Sequence, residues 1–246
     1  MIRKDKVHHG KVEEVLPTFP DESVNLIVAD PPFNKGKNYH GYSDNLPQDE
    51  YLQWVENWIA EGFRILKKDG LFWIYCSSDL QAEFAIIAKK YGIWQNTIVW
   101  HYEAPTPSKT RFPKTWSPWQ MFSKTKDFKF FSDFEKVKSF RSAKRSAVYD
   151  VWYDIPKLTG GYLAQNEVIL KPGTKERECV YQLPRKLLRR IIGFSTEESD
   201  LVLDLFSHSG VCSETAQIMN RKYIAVEQSE YYCTLIQKRL SKNRLF

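Results

Sequence analysis

Four consecutive residues near the start of the chain combine a carboxylate, a rigid turn and an aromatic ring: Asp30, Pro31, Pro32 and Phe33. The apolar residues 24–29 before them are typical of a buried β-strand, which a proline pair cannot continue. In an open α/β sheet, ligands bind where the strands end. We therefore predict that this tetrapeptide faces a binding site. A strand that ends in a plain turn, with Phe33 folded into the core, would fit the same residues.

A second candidate site begins at Asp204, within another apolar segment. A loop of small residues leads to Gly210, and a helix follows, so that the free N–H groups of its first turn face the loop. Roughly twenty residues further on, Glu227 ends the next strand, where an acid can accept hydrogen bonds from both ribose hydroxyls.

The ligand that this loop suits is a nucleoside carrying an amino acid. Only one glycine of a dinucleotide fingerprint is present, and the lysine of a phosphate-binding P-loop is missing. Asp204 disfavours a phosphate but suits a cationic amine. S-adenosylmethionine meets this description, whereas an ordinary βαβ turn remains the alternative.

Composition fits an intracellular α/β protein with a polyanionic partner. The chain has 246 residues, a formal net charge of +6 and 15% aromatic residues. Its four cysteines show no C-x-x-C spacing, which argues against a zinc site or a disulfide framework. The charged start resembles no signal peptide, and no apolar run reaches membrane-spanning length, so we expect a cytoplasmic protein without a membrane partner.

Hydrophobic periodicity predicts alternating strands and helices at both ends of the chain. Strands are expected at residues 7–9, 24–29, 71–76, 93–100, 200–206 and 221–226. Helices are expected at residues 48–67, 80–91, 212–219 and 231–240, with a further one that opens with Pro184 at its first position. This alternation indicates an α/β fold with a mostly parallel sheet and helices on both faces. The irregular residues 34–45 are expected to form a mobile loop beside Asp30.

The middle of the chain is basic and irregular. Residues 103–176 contain 14 Lys or Arg against 8 Asp or Glu. Residues 121–122 and 128–131 suggest a hairpin, at the sheet edge. Basic residues mixed with aromatic and polar ones are what contact with both the backbone and the bases of a nucleic acid requires, although a solvated charged insertion would look similar. The candidate DNA contacts are Lys136, Lys138, Arg141, Lys144 and Arg145.

Taken together, the two motifs resemble those of the amino-group DNA methyltransferases. These enzymes carry D/N/S-P-P-Y/F/W at the catalytic strand end, here residues 30–33, and a loop similar to D-x-F-x-G-x-G, here residues 204–210. The catalytic motif comes first and the cofactor loop last, with a basic insertion between them, which is the order of the β class. The resemblance covers nearly the whole chain.

The resemblance implies a Rossmann-like methyltransferase sheet with one antiparallel edge strand. Residues 1–131 and 179–246 would form one catalytic and cofactor-binding domain, and residues 132–178 an inserted target-recognition region. It implies methyl transfer from S-adenosylmethionine, without a metal, to N6 of adenine in duplex DNA by base flipping, with N4 of cytosine as the alternative. The implied cofactor-binding residues are Asp204, Phe206, Ser207, Ser209, Gly210, Glu227, Pro184 and Gln182.

Three positions depart from the family pattern. His208 replaces the first glycine of the cofactor loop, and it either crowds the backbone approach or turns outward. Lys11 stands where an acidic residue often contacts the adenine, and Leu183 stands where a lysine often precedes Pro184. The chain could also be an RNA or protein methyltransferase, or a non-catalytic DNA-binding relative, but Asp30 and the motif order favour DNA methylation.

The resemblance also indicates partners and a location. Double-stranded DNA is the expected substrate. A cognate restriction endonuclease and a second copy of the chain are partners found for members of this family, and both stay open here. The protein would work in the cytoplasm of a bacterial or archaeal cell, associated with the nucleoid.

Overall fold

An eight-stranded sheet forms the centre of the molecule. The computed structural model describes residues 3–39, 42–102, 107, 109–110, 112–138, 145–158 and 167–242. In order across the sheet, the strands are β1 (Lys6–His9), β12 (Lys222–Glu227), β11 (Leu201–Asp204), β2 (Val24–Ala29), β5 (Leu66–Tyr75), β7 (Trp116–Ser123), β6 (Ile93–His101) and β10 (Val151–Trp152). Two short antiparallel pairs are separate from it: β3 (Asn38–Tyr39) with β4 (Tyr42–Ser43), and β8 (Lys136–Lys138) with β9 (Arg145–Ala147).

Helices cover both faces of this sheet. They are α1 (Val12–Val15), followed by a 3₁₀ turn (Leu16–Thr18), α2 (Gln48–Ile65), α3 (Gln81–Ala88), α4 (Arg185–Ser195), α5 (Val211–Ile218) and α6 (Glu230–Lys242). Alternate residues of β2 face opposite sides, as the pleat requires: Ile27 packs in the core with α1, α2 and α3, and Leu26 in the core with α4, α5 and α6. None of the described helices combines the length and the apolar character that a membrane span requires.

The predicted fold class is confirmed. Every neighbouring pair in the sheet is parallel except the two pairs that β7 makes with β5 and β6. The antiparallel strand does not lie at the edge, however, because β6 and β10 continue the sheet beyond it. The predicted hairpin of residues 121–122 with 128–131 is wrong: β7 pairs with β6 instead, and residues 128–131 form no strand.

The helix boundaries differ from the prediction by one to three residues, and two of these differences lie next to the candidate site or to β5. Helix α2 ends at Ile65 rather than at residue 67, because Leu66 already pairs with Val24 as the first residue of β5. Helix α4 begins at Arg185, so Pro184 is its N-cap with an extended backbone (φ −65°, ψ 135°) rather than its first helical residue. Neither difference moves the candidate site residues away from the ends of β2, β11 and β12.

Candidate active site

Asp30 lies directly after β2, between the ends of β11 and β5. Its side chain is half-buried and lines a cavity. Burial raises the pKa of this carboxyl group well above its usual range, and the nearby charge of Asp204 adds to the effect. A hydrogen-bond donor or a cation bound in front of Asp30 would offset the cost of keeping it ionised.

Hydrogen bonds from the following loop and from α2 fix the turn after Asp30. The Tyr51 hydroxyl donates to the Pro32 carbonyl oxygen at 2.8 Å. The Asn34 side chain donates to the Leu46 carbonyl oxygen and accepts from the Leu46 N–H, both at 2.7 Å. Buried Asp44 accepts from the Asn34 N–H at 2.6 Å. The loop of residues 34–45, for which the sequence predicts mobility, is therefore closed by hydrogen bonds between its first residue and the residues around its end.

The loop after Asp204 is held between two neighbouring strands. The Leu205 N–H donates to the Val28 carbonyl oxygen of β2 at 3.1 Å, and the Ser207 N–H donates to the Val226 carbonyl oxygen of β12 at 3.0 Å. Because both partners are backbone atoms at strand ends, the loop has little freedom to shift. Its inner surface is thereby presented towards the Asp30 side of the sheet edge.

Glu227 is oriented by two backbone N–H groups. His208 donates to Oε2 and Ser229 to Oε1, each at 2.8 Å. Burial raises the pKa of Glu227, and these hydrogen bonds partly counter the rise. Each carboxylate oxygen can accept a further hydrogen bond, so the pair of oxygens suits two adjacent hydroxyl groups.

Asp204 lies beneath this loop rather than on the cavity wall. It is 5% exposed, and its pKa is raised to about 7, mainly by burial, with the hydrogen bonds from Ser207 and Phe206 opposing the rise and the charge of Glu227 adding to it. A cation in the cavity would interact with Asp204 through the loop. The predicted direct contact with an amine stays a prediction.

Two residues of the loop adopt the left-handed conformation. Gly210, the N-cap of α5, has a φ of 72°, and a Cβ atom there would lie 2.8 Å from Ile236 Cγ2, so only glycine fits. His208 has a φ of 40°, which explains why glycine is the usual residue at this point of the motif. Its ring does not turn outward: it lines the cavity and packs edge-on against Tyr232, with ring centroids 4.6 Å apart.

A cavity of about 860 Å³ joins the two motifs. The predicted site residues on its wall are Asp30, Pro31, Pro32, Phe33, Phe206, Glu227 and Gln182. The predicted residues Asp204, Ser207, Ser209, Gly210 and Pro184 support the loop or the helix behind the wall. The two motifs, which lie more than 170 residues apart in the chain, therefore contribute to the same site.

Aromatic rings form the wall next to Asp30. The half-buried Phe33 ring meets the Tyr75 ring edge-on, with centroids 5.3 Å apart, and Tyr75 stacks on Trp119 at 4.9 Å. The Tyr102 hydroxyl shares a hydrogen bond of 2.9 Å with Ser117, and both residues line the cavity. The wall can receive a flat heterocyclic ring while its hydroxyl groups contact the ring edge.

Arg239 of α6 joins the parts of the cofactor side, and no sequence motif pointed to it. This buried guanidinium group donates to Glu214 at 2.8 Å, to the Gln182 side chain at 3.0 Å and to the Ser209 carbonyl oxygen at 2.9 Å. It thereby fixes the segment before α4 to the loop before α5. Arg239 could not be found from a linear motif because its partners lie 25 to 72 residues away.

The basic residues predicted to contact DNA lie on the β8–β9 hairpin, as far as they are described. Lys136 and Lys138 are exposed on either side of buried Val137, and the backbone of Lys138 pairs with that of Arg145. Arg141 and Lys144 lie outside the described residues.

Arg190 of α4 holds both ends of this basic region. Its guanidinium group, which is fully buried, makes paired hydrogen bonds with Glu135 (3.0 and 3.1 Å) and with Asp154 (2.7 and 2.9 Å). It also lies over the Trp152 ring at 5.1 Å. Since Trp152 belongs to β10 of the main sheet, the basic hairpin is tied at its base to the same sheet and helix that carry the candidate site.

Comparisons with known proteins agree with this arrangement. The sequence model of the family described as DNA methylase (N6_N4_Mtase) matches residues 24–238. The chain is 30% identical over 239 residues to the DNA adenine methyltransferase YhdJ of Escherichia coli (strain K12), covering 94% of this chain and 81% of that protein.

Two solved structures share the fold. The PvuII DNA methyltransferase, named as cytosine-N4-specific, has a TM-score of 0.72 at 23% identity, with 97% of this chain and 87% of that chain covered. The complex of M1.HpyAVI with SAM has a TM-score of 0.67 at 18% identity, with 96% and 98% covered. Within the described part of this chain, no group of three or more His, Cys, Asp or Glu side chains could hold a metal ion.

Proposed function

The chain belongs to the DNA methylase family, and on that premise we propose that it transfers a methyl group from S-adenosylmethionine to the exocyclic N6 of adenine in duplex DNA. The observation that carries the proposal is the cavity in which Asp30 and Glu227 face the same space. The Asp30 end suits a base with an amino group, and the Glu227 end suits a nucleoside cofactor.

The residues at the Glu227 end fit S-adenosylmethionine. The two oriented oxygens of Glu227 match the ribose hydroxyls, and Phe206 and Gln182 line the wall beside it. Asp204 and Glu227 make the loop unfavourable for a phosphate group. Once bound, S-adenosylmethionine supplies an electrophilic methyl group on a sulfonium ion. Pro184, Ser207, Ser209 and Gly210 would hold the loop and helix in position.

At the other end of the cavity, the Asp30 carboxylate and the Pro31 carbonyl oxygen would each accept a hydrogen bond from one N–H of the amino group. The nitrogen lone pair of such an amine is delocalised into the ring, so two fixed acceptors would draw it towards tetrahedral geometry and offset the positive charge that develops on it. The Tyr51–Pro32 hydrogen bond keeps these acceptors in place. Because the same cavity would hold both the target base and the cofactor, proximity would supply much of the remaining acceleration.

Phe33 would stack on the target base. Its ring stands beside Tyr75 on the cavity wall, where a base rotated out of the duplex can enter. The basic side chains Lys136, Lys138, Arg141, Lys144 and Arg145 would contact phosphates next to the target. The region of residues 132–178 would then recognise the sequence, and residues 1–131 and 179–246 would form the catalytic domain.

Adenine is the favoured acceptor because Asp at the first motif position goes mostly with adenine in enzymes that this chain resembles. The name of the YhdJ relative agrees with it, while N4 of cytosine is the alternative that the fold of the PvuII enzyme represents. A cognate endonuclease, a homodimer and association with the nucleoid of a bacterial or archaeal cell stay predictions.

Methylation of genomic DNA by the purified protein, followed by single-molecule sequencing, tests the proposal. We expect N6-methyladenine at one short recognition sequence. If the sequencing detects N4-methylcytosine instead, the acceptor is cytosine rather than adenine. Parallel reactions with RNA and with protein are the controls, and methyl transfer to one of these but not to DNA would refute the proposal.

A further inference from the structure

Phe112 is the most exposed large hydrophobic side chain in the described part of the molecule. It is 97% exposed, whereas the next, Ile86, is 65% exposed. Single exposed apolar residues are common on protein surfaces, but an almost fully exposed aromatic ring makes no contact that would stabilise the folded chain. Its position relative to the cavity is therefore the informative point.

Phe112 lies close in the chain to two residues of the cavity wall. Two residues later, Lys114 lines the cavity that contains Asp30, and Ser117 at the start of β7 lines it as well. Two residues of extended chain span at most about 7 Å, so Phe112 cannot be far from the opening. The Tyr102 N–H donates to the Thr115 carbonyl oxygen at 2.8 Å, which anchors this segment to the end of β6.

The neighbours of Phe112 suit contact with a duplex. Pro113 restricts the backbone of Phe112 to extended conformations, which lowers the entropy cost of holding the ring in one place. Lys114 is exposed, and Lys157, whose ammonium group lies 3.6 Å from the centroid of the Tyr102 ring, lines the same cavity. Both cations can contact phosphates of a duplex whose target base enters the cavity.

We propose that Phe112 inserts into the base stack at the position that the target base vacates. The proposal rests on the proposed function, because base flipping leaves a gap whose unstacking must be offset. Apolar side chains that enter a base step replace part of the lost stacking, and an aromatic ring stacks on any base. Phe112 would thus stabilise the flipped state without touching the reacting atoms.

The test compares Phe112→Ala and Phe112→Trp on two duplexes that carry the recognition sequence found by sequencing. In one duplex the target base is paired, and in the other it lies opposite an abasic site, so that less stacking and no pairing is lost on flipping. We expect Phe112→Ala to lower kcat/KM on the paired duplex by about tenfold to a hundredfold. On the abasic duplex, the kcat/KM of Phe112→Ala should return most of the way to the wild-type value. The kcat/KM of Phe112→Trp should stay close to that of the wild type on both duplexes.

Ile86→Ala on α3 is the matched control, because Ile86 is exposed but does not line the cavity. It should leave the rates on both duplexes unchanged. Both Phe112 variants should bind S-adenosylmethionine as the wild type does. Equal activity of Phe112→Ala and wild type on the paired duplex would overturn the inference, and so would an equal loss on both duplexes. If sequencing finds no methylated site in DNA treated with the wild-type protein, the proposed function itself fails and the inference fails with it.

Discussion

Asp30 follows β2, and Asp204 is the last residue of β11, the parallel strand beside it. Burial raises the pKa of Asp30, and the charge of Asp204 raises it further. The two acids belong to different motifs: Asp30 lines the cavity, and Asp204 lies beneath the cofactor loop. Because their charges repel each other, a positively charged ligand in the cavity, such as a sulfonium ion, would make both carboxyl groups easier to ionise. Binding of the methyl donor and readiness of the acceptor site are therefore linked electrostatically.

Asp30→Ala is expected to lower the rate of methyl transfer by at least about a hundredfold, because removing one preorganised electrostatic partner of a transition state typically costs that much. Affinity for S-adenosylmethionine should remain within a few-fold. Single-turnover kinetics and titration calorimetry measure the two quantities. In the wild type, activity should fall as the pH drops through the raised pKa of Asp30, at a higher pH than for an ordinary aspartate. Wild-type turnover by Asp30→Ala would remove Asp30 from its proposed role.

Asp204→Asn tests the buried acid beneath the cofactor loop. The pKa of Asp204 is about 7 in the folded protein, against 3.8 for the free side chain. The folded state therefore holds a proton that the unfolded state has lost, so this group's contribution to stability is largest below pH 4 and declines as the pH rises towards 7. Between pH 5 and pH 8, the free energy of unfolding should drop on the order of 2 kcal/mol less in Asp204→Asn than in the wild type. Urea denaturation without cofactor measures this, and parallel pH profiles would contradict the assignment.

The sequence is sufficient to predict the motifs whose chemistry is local, and insufficient for contacts between distant residues. The strand ends at residues 24–33 and 204–210 can be predicted because an apolar segment is followed by prolines or small residues. The pairing of β7 could not be predicted because Pro118, which has no N–H to donate, stands inside this strand. The Pro118 carbonyl oxygen accepts a hydrogen bond from the Cys76 N–H at 3.3 Å. This contact depends on the position of β7 between β5 and β6, which the local sequence does not indicate.

The supporting residues of the site could not be predicted for the same reason. Tyr51 looks like one more apolar residue on the buried face of α2, although its hydroxyl group holds the Pro32 carbonyl oxygen. Arg190 looks like part of a basic helix, whereas its partners Glu135 and Asp154 lie 55 and 36 residues earlier. Pairings of this kind depend on how the insertion packs against α4, and no local pattern records that.

His208→Gly and His208→Ala together test the departure in the cofactor loop. At a φ of 40°, an L-residue carries a steric penalty of about 1 kcal/mol that glycine avoids. Neither variant can pack against the Tyr232 ring, so the glycine variant should be the more stable of the two by about 1 kcal/mol, the reverse of the usual order in regular structure. Because burial lowers the pKa of His208 to about 4, neither variant should change the pH dependence of cofactor binding between pH 6 and pH 8. Thermal denaturation and calorimetry measure both, and a more stable alanine variant would refute the strain.

Arg190→Met is expected to destabilise the fold by about 3–5 kcal/mol, because it leaves the carboxylates of Glu135 and Asp154 poorly solvated and without their main partner. Adding Glu135→Gln and Asp154→Asn to this variant should recover most of the loss, since the uncompensated charges are then gone. Urea denaturation of the single and triple variants measures it. A triple variant as unstable as the single one would mean that the shape of Arg190, rather than its charge, holds the insertion.

Neutralising the basic hairpin tests its proposed contact with DNA. Two double variants, Lys136→Ala with Lys138→Ala and Lys144→Ala with Arg145→Ala, should each bind duplex DNA more weakly, and the slope of log affinity against log salt should become shallower by about 1 for each phosphate that the protein no longer neutralises. Lys68→Ala with Lys126→Ala is the charge-matched control, because Lys68 is exposed near the start of β5, whereas Asp30 lies beside its far end. Fluorescence anisotropy between 50 and 200 mM salt, a range over which phosphate contacts weaken by orders of magnitude, resolves the slopes. If the hairpin variants and the control share the wild-type slope, the hairpin does not contact the DNA backbone, and the positive charge of the insertion serves another purpose.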